Sequence, residues 1–416
     1  MFTSFSTALS ALNAFSTGID VVGNNLANLD TTGFKASTVS FYDLVTQSLG
    51  AGLGETQVGF GVGAPITMRG FSQGAIQTTS GPTDAAISGD GFFIVTDPGS
   101  GAVQYTRSGS FQVDRNGNLT TATGQLVQGW TEQGGILNTN GPAGAITVPT
   151  GTIKPPVATQ NFSLAMNLNS AASGTQPNTF STSIQVYDSL GTPHTLTAQF
   201  TESSTPGQWN YSISAPGSDL TSGSFTPVTG TLTFDSSGRL TQPAAAGPAP
   251  QIQIQGLADG AANMTLNWQL YNNNGTPQVT QFAQPSSVSA LSQDGSAASQ
   301  LSHVGIADGG EIVAQYSDGT QTIVGQLAMA TIRNPESLIA VGNTNFQLSA
   351  SSALPAIGVP GTGGRGSVLG GAIEASTSDI AREFTNLIVL QRGYEANAKV
   401  VTTVDQVSQD TIALKQ

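Results

Sequence analysis

Residues 2–29 carry the sequence FTSFSTALSALNAFSTGIDVVGNNLANL, in which apolar side chains recur at steps of three and four residues. A second stretch with this spacing occupies residues 380–414. Such steps place side chains along one seam of an α-helix, and a seam of this kind packs helix against helix. The predicted N-terminal seam contains Phe2, Phe5, Leu9, Leu12, Phe15, Ile19, Val22, Leu26 and Leu29. The predicted C-terminal seam contains Ile380, Phe384, Leu387, Tyr394, Ala398, Val401, Val404, Val407 and Leu414. Neither helix can bury its own seam, so each must pack against the other, against other copies of the chain, or against the residues between them.

The composition limits the classes of partner. The chain has 416 residues, which is enough for two or three domains with a core each. Only 9% of its residues are charged, against roughly 25% in ordinary globular proteins. The formal net charge is −13, and Arg239 is the one basic residue between Lys154 and Arg333. These features argue against binding to nucleic acid, which requires basic patches, and against binding to anionic membrane surfaces.

Cysteine is absent, so the chain forms neither disulfides nor thiolate metal sites. The apolar N-terminal stretch has no cationic region before it, since the first basic residue is Lys35, and a cleavable secretory signal is therefore not expected. No apolar run approaches the ~20 residues that cross a bilayer. We expect a chain that stays in the cytoplasm or is exported without a cleaved signal.

The long middle of the chain has the pattern of β-structure. Phe92–Val95 is typical of a buried strand, and the Asn-Gly pair at residues 116–117 is a strong hairpin signal. Further hairpins are predicted around residues 190–191 and 318–319. The predicted fold is mainly β with α-helical termini, in which a β core and an inserted β-barrel-like domain are nested between coiled-coil-forming helices.

The predicted domain boundaries follow changes in composition along the chain. Residues 1–70 comprise the first helix and a connector in which glycines recur from Gly50 to Gly63, and these residues are expected to form one inner region together with 369–416. Residues 71–149 plus 300–368 form the β core, and residues 150–299 form the inserted outer β domain. A stretch rich in Pro and Gly precedes the C-terminal helix.

Signatures of enzymes and cofactor sites are missing. The two histidines, His194 and His303, each lie in a context of Ser, Thr and Gly, where we expect solvated turn histidines. No HExxH, GxSxG or Walker A motif occurs. The sequence predicts no catalytic, cofactor-binding or metal-binding residue, and no enzymatic activity.

Two weak motifs have simpler explanations. Residues 361–366 contain GxGxxG, but prolines precede it and no helix pattern follows directly, so it lacks the strand–turn–helix setting of a dinucleotide site. Asp114, Asn116 and Asn118 loosely suggest a calcium loop, although the predicted hairpin explains them with fewer requirements.

A pair of signatures at opposite ends of the chain resembles those of bacterial flagellar rod and hook proteins. One is GNNLANLDTTGFK at residues 23–35, and the other is QRGYEANAK at residues 391–399, which follows Glu374-Ala375-Ser376. Between them, GDGFF at residues 89–93 and YTRSGSF at residues 105–111 are similar to the β core of that family. The signature residues carried over for assembly are Asn24, Asn25, Asn28, Gly33, Phe34, Gln391, Arg392, Tyr394 and Asn397. The seam residues expected to pack on assembly are Phe5, Leu9, Leu12, Ile19, Leu26, Phe384, Leu387, Val401 and Val404.

The inserted domain favours one branch of this family. Residues 186–196, VYDSLGTPHTL, resemble a hairpin of the hook-forming members, whereas distal rod members lack a large insertion. A distal rod-type protein therefore remains the nearest alternative. A secreted β-rich adhesin or glycan-binding protein is a more distant one, since it needs no paired terminal seams.

The resemblance implies a structural role. Hook-forming members polymerise into a flexible tube that transmits torque from the rod to the filament outside the cell. Implied partners are further copies of the chain, rod, hook-cap and hook–filament junction proteins, and the flagellar type III export apparatus. No cofactor, nucleic acid or membrane insertion is implied. Gly393 departs from the bulkier residue often found there, and is expected to loosen the last helix by about 1 kcal/mol relative to Ala.

Overall fold

One α-helix lies near each end of the chain, and β-strands joined by turns and loops lie between them in the sequence. The computed structural model describes residues 2–44, 47–48, 57–133, 136–151, 153–171 and 177–413. Helix α1 spans Phe2–Ala27 and α2 spans Ile380–Ala413. This arrangement confirms the predicted mainly β fold with helical termini. Within the described ranges, no helix combines the length and apolarity needed to cross a membrane. The connector residues Gly50, Gly52 and Gly54 and the seam residue Leu414 lie outside those ranges.

The strands are short in the N-terminal third and longer in the middle. The first group contains β1 (Ser37–Ser40), β2 (Gln47–Ser48), β3 (Gln57–Val58), β4 (Ile66–Arg69), β5 (Ile76–Thr78), β6 (Ala85–Ser88), β7 (Phe92–Thr96), β8 (Val103–Thr106), β9 (Phe111–Val113), β10 (Leu119–Thr121), β11 (Leu126–Thr131) and β12 (Gly144–Ala145). The second group contains β13 (Ile153–Lys154), β14 (Asn161–Asn169), β15 (Thr179–Tyr187), β16 (Pro193–Glu202), β17 (Gln208–Ser214), β18 (Val228–Phe234), β19 (Leu240–Gln242), β20 (Gln251–Ile254), β21 (Met264–Trp268), β22 (Val279–Phe282) and β23 (Ser287–Gln293). The third group contains β24 (Ser299–Ile306), β25 (Glu311–Tyr316), β26 (Gln321–Leu327), β27 (Met329–Thr331), β28 (Ile339–Gly342), β29 (Asn345–Gln347), β30 (Ala356–Gly358), β31 (Ser367–Gly370) and β32 (Ala372–Glu374). Single 3₁₀ turns occur at Gly217–Asp219 and Pro335–Ser337.

The chain divides into two compact units. The first contains Met1–Thr150, Ser302–Gln315 and Thr320–Gln416, and the second contains Gly151–Leu301 and Tyr316–Gly319. The terminal helices thus belong to the first compact unit. A separate inner region formed by residues 1–70 and 369–416 stays a prediction.

The first unit is organised around β7, the predicted buried strand. Phe92, Phe93, Ile94 and Val95 are all buried, and β7 pairs with β8, β11 and β27. The predicted hairpin at residues 116–117 is confirmed, because β9 and β10 pair antiparallel around Gly117, whose φ of +84° suits glycine. The second predicted hairpin of this kind, between β25 and β26, is also antiparallel. Because four consecutive side chains of β7 are buried, both faces of this strand are covered by protein.

The second unit contains two separate sheets. Strands β15 to β19 form an antiparallel meander, and β14 joins β20–β23 in a mixed sheet. Alternate residues of β14 and β16 are buried, which is the pattern of strands with one face towards a core. Trp209 and Trp268 are fully buried in a single cluster shared by both sheets. The expectation of a barrel-like domain was wrong: over the described strands these two sheets do not close on themselves, and their apolar faces pack as a sandwich.

Candidate functional site

Helix α1 contacts α2 through a face of small residues. Ala8, Ala11 and Ala14 are buried, and Gly18 continues this face one turn further on. A Cβ on Gly18 would lie 3.0 Å from a methyl carbon of Leu390. Small side chains let two helix backbones approach closely, so the shape of this face, more than its hydrophobicity, sets the contact.

Gly393 has a similar role on α2. A Cβ at this position would lie 2.6 Å from the ring of Phe15. The glycine was expected to loosen the last helix, but it makes room for an aromatic ring of α1. The absence of a side chain at Gly393 therefore affects both the backbone freedom of α2 and the packing of α2 against Phe15.

The predicted seam residues lie beside this contact, and none of the nine is fully buried. Three are exposed, namely Phe5, Leu9 and Phe384, with exposed fractions of 42%, 47% and 49%. The other six are half-buried: Leu12, Ile19, Leu26, Leu387, Val401 and Val404. Ile388 and Val389 are 58% and 62% exposed. The helix pair thus leaves a row of large apolar side chains uncovered.

The asparagines of the first signature fasten α1 to the strand that follows it. Asn25 is buried, its Nδ2 donates to the carbonyl of Ser37 at 2.8 Å, and its Oδ1 accepts from the Ser37 N–H at 3.0 Å. Asn28 donates from Nδ2 to both the carbonyl and the side-chain oxygen of Asn24, at 2.9 Å each. Asn25 therefore acts as a two-point clasp between α1 and β1, and Asn28 secures the last turn of the helix.

Gly33 and Phe34 join the two ends of the chain. Gly33 has a φ of +69°, and its N–H donates to the carbonyl of Glu374 at 2.8 Å. A Cβ on Gly33 would lie 2.5 Å from the backbone nitrogen of Ser108. The carbonyl of Phe34 accepts from the N–H of Thr377 at 3.1 Å. Both the dihedral angle and the available space require glycine at position 33.

A buried charge cluster lies next to this junction. Lys35 Nζ and Arg107 Nη1 are 2.6 Å and 3.2 Å from the two carboxylate oxygens of Glu374, and these side chains are at most 4% exposed. Lys35 also donates to the carbonyl of Ser72 at 2.6 Å, and Glu374 accepts from the N–H of Gly74 at 2.7 Å. The cluster joins the first signature, the β core and the segment that leads into α2.

Because this cluster is buried, the loss of any one of its charges is destabilising. Desolvation lowers the pKa of Lys35, while the hydrogen bond and the charge of Glu374 act to raise it. Arg107 also lies over the ring of Phe92, with its Cζ 5.4 Å from the ring centre, and donates to the carbonyl of Gly89. A buried ion pair costs desolvation when it forms, but the loss of one partner leaves an uncompensated charge and is strongly destabilising.

The second signature lies further along α2, away from the charge cluster. Arg392 pairs with Glu395 at 3.2 Å in an exposed contact, and Gln391 is also exposed. Tyr394 is 41% exposed, and Asn397 donates from Nδ2 to the carbonyl of Gly393 at 2.8 Å. The exposed side chains of Gln391, Arg392 and Tyr394 are available for contacts outside the helix pair.

Sequence reasoning quoted Lys35, Arg107 and Glu374 only as members of separate motifs. The one usable signal is that charged residues are rare in this chain, at 9% of its residues. Nothing in the order of the residues shows, however, that positions 35, 107 and 374 meet in one place.

The prediction for His194 was wrong. Its side chain is 6% exposed; Nε2 lies 3.0 Å from Asp188 Oδ2, and Nδ1 lies 2.9 Å from Asp219 Oδ2. Burial acts to lower the pKa of His194, but the hydrogen bonds and charges of the two aspartates outweigh it and raise the pKa. The other histidine, His303, is exposed as expected, but it lies on β24 and not in a turn.

Four family models match segments that together cover about two thirds of the chain. The model of the flagella basal body rod protein matches residues 5–35, and that of the flagellar hook protein FlgE/F/G D1 domain matches residues 86–166. The flagellar basal body protein FlaE D2 domain matches residues 165–296, and the flagellar basal body rod FlgEFG protein C-terminal model matches residues 369–414. The flagellar hook protein FlgE of Borreliella burgdorferi is 33% identical over 450 residues that cover 100% of both chains.

This chain belongs to the flagellar hook protein FlgE family. The FlgE proteins of Escherichia coli and Salmonella typhimurium are each 31% identical to it, over 99% of this chain and 100% of theirs. Among solved structures, Helicobacter pylori flagellar hook protein FlgE2 superimposes with a TM-score of 0.51 at 13% identity, covering 70% of this chain and 99% of that one. That structure supports the fold alone. The predicted resemblance to flagellar rod and hook proteins is thereby confirmed, and these full-length relatives are hook proteins.

Proposed function

We propose that this chain is the structural subunit of the bacterial flagellar hook, and that its copies polymerise into a tube. One observation carries the proposal: in the helix pair, small residues such as Ala11, Ala14 and Gly18 are buried, while large apolar side chains such as Leu9, Phe384 and Ile388 stay exposed. Exposed apolar rows of this kind mark surfaces that another protein covers. Neighbouring copies of the same helices would supply complementary rows, so the exposed seam residues and the second signature would form the inner contacts of the tube, while the first signature holds α1 in place within each copy.

The β units would give the tube its flexibility. Their surfaces consist mainly of hydroxyl and amide groups, because charged residues make up only 9% of the chain. Uncharged polar surfaces form contacts that water can replace at little cost, so neighbouring β units can slide while the helices hold the wall together. The result is a joint that bends while it transmits torque from the rod to the filament.

The remaining partners follow from this assignment. The chain would leave the cell through the flagellar type III export apparatus, assemble outside the cell, and contact rod, hook-cap and hook–filament junction proteins. A chain without cysteine forms no disulfide that would block its passage in an unfolded state. We assign it a purely structural role without catalysis or a cofactor.

The test combines a deletion with a point variant. Deletion of residues 379–416 removes α2 but keeps Glu374, so we expect a folded β-rich monomer that forms no tubes. Ile388→Asp places a charge on the uncovered row and should leave the melting temperature of the monomer nearly unchanged while abolishing tubes; Ile388→Leu is the matched control and should assemble. Electron microscopy of the purified proteins measures the outcome. Normal tubes from the deletion or from Ile388→Asp would refute the proposal.

A further inference from the structure

Two carboxylates and an imidazole converge in the second unit. Asp188 lies in the turn after β15, His194 lies on β16, and Asp259 lies in the loop between β20 and β21. One ligand atom from each residue lies within 4.8 Å of the other two. Asp188 and His194 are 0% and 6% exposed, so the surrounding protein holds two of the three groups in place.

Backbone and side-chain hydrogen bonds aim two of these groups. Asp188 Oδ1 accepts from the N–H groups of Leu190 and Thr192 at 2.8 and 2.9 Å, which leaves Oδ2 facing His194 Nε2. On the other side of the ring, His194 Nδ1 lies 2.9 Å from Asp219 Oδ2. A carboxylate at one ring nitrogen fixes the tautomer that presents the other nitrogen to a metal, which is the usual support of a metal-bound histidine.

The cluster also carries more negative charge than its imidazole can neutralise. Three carboxylates, of Asp188, Asp219 and Asp259, surround one ring, and His194 is their only cationic salt-bridge partner among the described residues. A carboxylate oxygen of Asp188 and one of Asp259 lie within 4.8 Å of each other. Two carboxylates this close repel each other, and a divalent cation bound between them would remove that repulsion.

We propose that Asp188, His194 and Asp259 bind one divalent transition-metal ion of the Zn²⁺ type. A mixed set of imidazole and carboxylate donors suits zinc, and three protein ligands leave a fourth position for water. Bonds of about 2.0–2.2 Å place tetrahedral ligand atoms about 3.4 Å apart. The pair Asp188 Oδ2 and His194 Nε2, at 3.0 Å, is close to that spacing. Asp219 orients the imidazole.

Such an ion would join the two sheets of the sandwich. Asp188 and His194 belong to the antiparallel meander, whereas the Asp259 loop connects two strands of the mixed sheet. A bond between the sheets would stiffen the inserted domain without altering the terminal helices. The proposal is therefore independent of the proposed hook function and can fail separately from it.

The test uses the full chain as a monomer, stripped of metal by a chelator and titrated with ZnCl₂ at pH 7.5 in a calorimeter. We expect one site per chain. Asp259→Asn, which changes an exposed residue, and His194→Gln should each weaken binding at least ~100-fold, and Asp219→Asn should weaken it about 10–100-fold. His303→Gln is the matched control and should bind as the wild type does.

A second readout separates loss of the site from loss of the fold. Circular dichroism in the presence of the chelator should show that Asp259→Asn remains folded, and Co²⁺ should give the visible absorption of a tetrahedral site only in proteins that retain the three ligands. Absence of Zn²⁺ binding to the wild type would overturn the proposal. Wild-type affinity in Asp259→Asn, or an equal loss in His303→Gln, would also overturn it.

Discussion

Replacement of Glu374 by Gln tests whether the buried charge cluster joins the ends of the chain. The substitution keeps the shape of the side chain and its ability to accept from the N–H of Gly74. It removes the negative charge that lies 2.6 Å from Lys35 Nζ and 3.2 Å from Arg107 Nη1. Two buried cations then face each other without a counter-charge.

The magnitude follows from the burial of these groups. Loss of one partner from a buried ion pair costs about 3–5 kcal/mol. Lys35 can limit the cost by giving up its proton; from its ordinary pKa of 10.5, neutralisation at pH 7 costs about 1.4 kcal/mol for each pH unit. That route sets a ceiling of about 5 kcal/mol on the contribution from Lys35. A loss of this size is a large share of the ~5–15 kcal/mol that stabilises a typical protein.

Urea unfolding of the monomer measures the change. Glu395→Gln makes the same chemical change in the exposed pair with Arg392, where the side chains are 79% and 63% exposed, and should cost less than about 1 kcal/mol. Lys35→Met combined with Glu374→Gln should recover part of the lost stability, because one uncompensated cation is removed. If Glu374→Gln and Glu395→Gln lower the free energy of unfolding equally, the reasoning is refuted.

Three further outcomes are expected. Gly393→Ala brings a Cβ to 2.6 Å from the Phe15 ring and should destabilise the monomer by about 1–3 kcal/mol in urea unfolding. Gly23→Ala is the control: its Cβ would lie in open space, so it should stabilise the monomer by up to ~1 kcal/mol. Stabilisation by both variants would contradict the close fit of the helices. Asn25→Ala removes both hydrogen bonds to β1, so it should lower the free energy of unfolding by about 1–3 kcal/mol and speed amide hydrogen exchange in β1. Unchanged exchange in β1 would show that these two bonds do not hold the strand to α1. The folded pKa of His194 lies above its ordinary 6.5, so its pairing stabilises the metal-free protein fully below pH 6.5 and less as the pH rises through the folded pKa. Thermal melts in chelator between pH 6 and 9 should show this decline, His194→Gln should reduce it, and an identical pH dependence in both proteins would exclude the pairing.

The elements that sequence reasoning predicted well are those set by local signals. The terminal helices follow from apolar spacing over many turns, and the strand at residues 92–95 from a short run of large apolar residues. The hairpin at residues 116–117 follows from a glycine with positive φ. Each of these signals acts within a few residues and survives in almost any tertiary context.

The contact face of the helices could not be predicted in this way. Apolar spacing selected large residues such as Leu9 and Phe384, which stay exposed, whereas the small residues Ala11, Ala14 and Gly18 are buried; of the predicted α1 seam, Val22 is the one described residue that is buried. Hydrophobicity ranks side chains one at a time, whereas helix packing depends on how closely two surfaces approach. The exposed large residues then become the basis of the assembly proposal.

The contacts of buried polar groups could not be predicted from the sequence either, because their neighbours come from distant parts of the chain. His194 has polar neighbours in sequence, but Asp219 and the core of the sandwich enclose it in the fold. Glu374 is ordinary in its local sequence, but it meets Lys35 and Arg107 at separations of 339 and 267 residues.

The sequence alone determined that this chain has helices at its ends, β domains between them, little charge, and paired signatures typical of one family. Periodicity, turn chemistry and composition are properties of neighbouring residues, so they can be read without coordinates. Tertiary structure decided which face of each helix is buried, which carboxylate neutralises Lys35, and how His194 is enclosed. Those outcomes depend on distances between residues far apart in the chain, and such distances arise only when the whole molecule has folded.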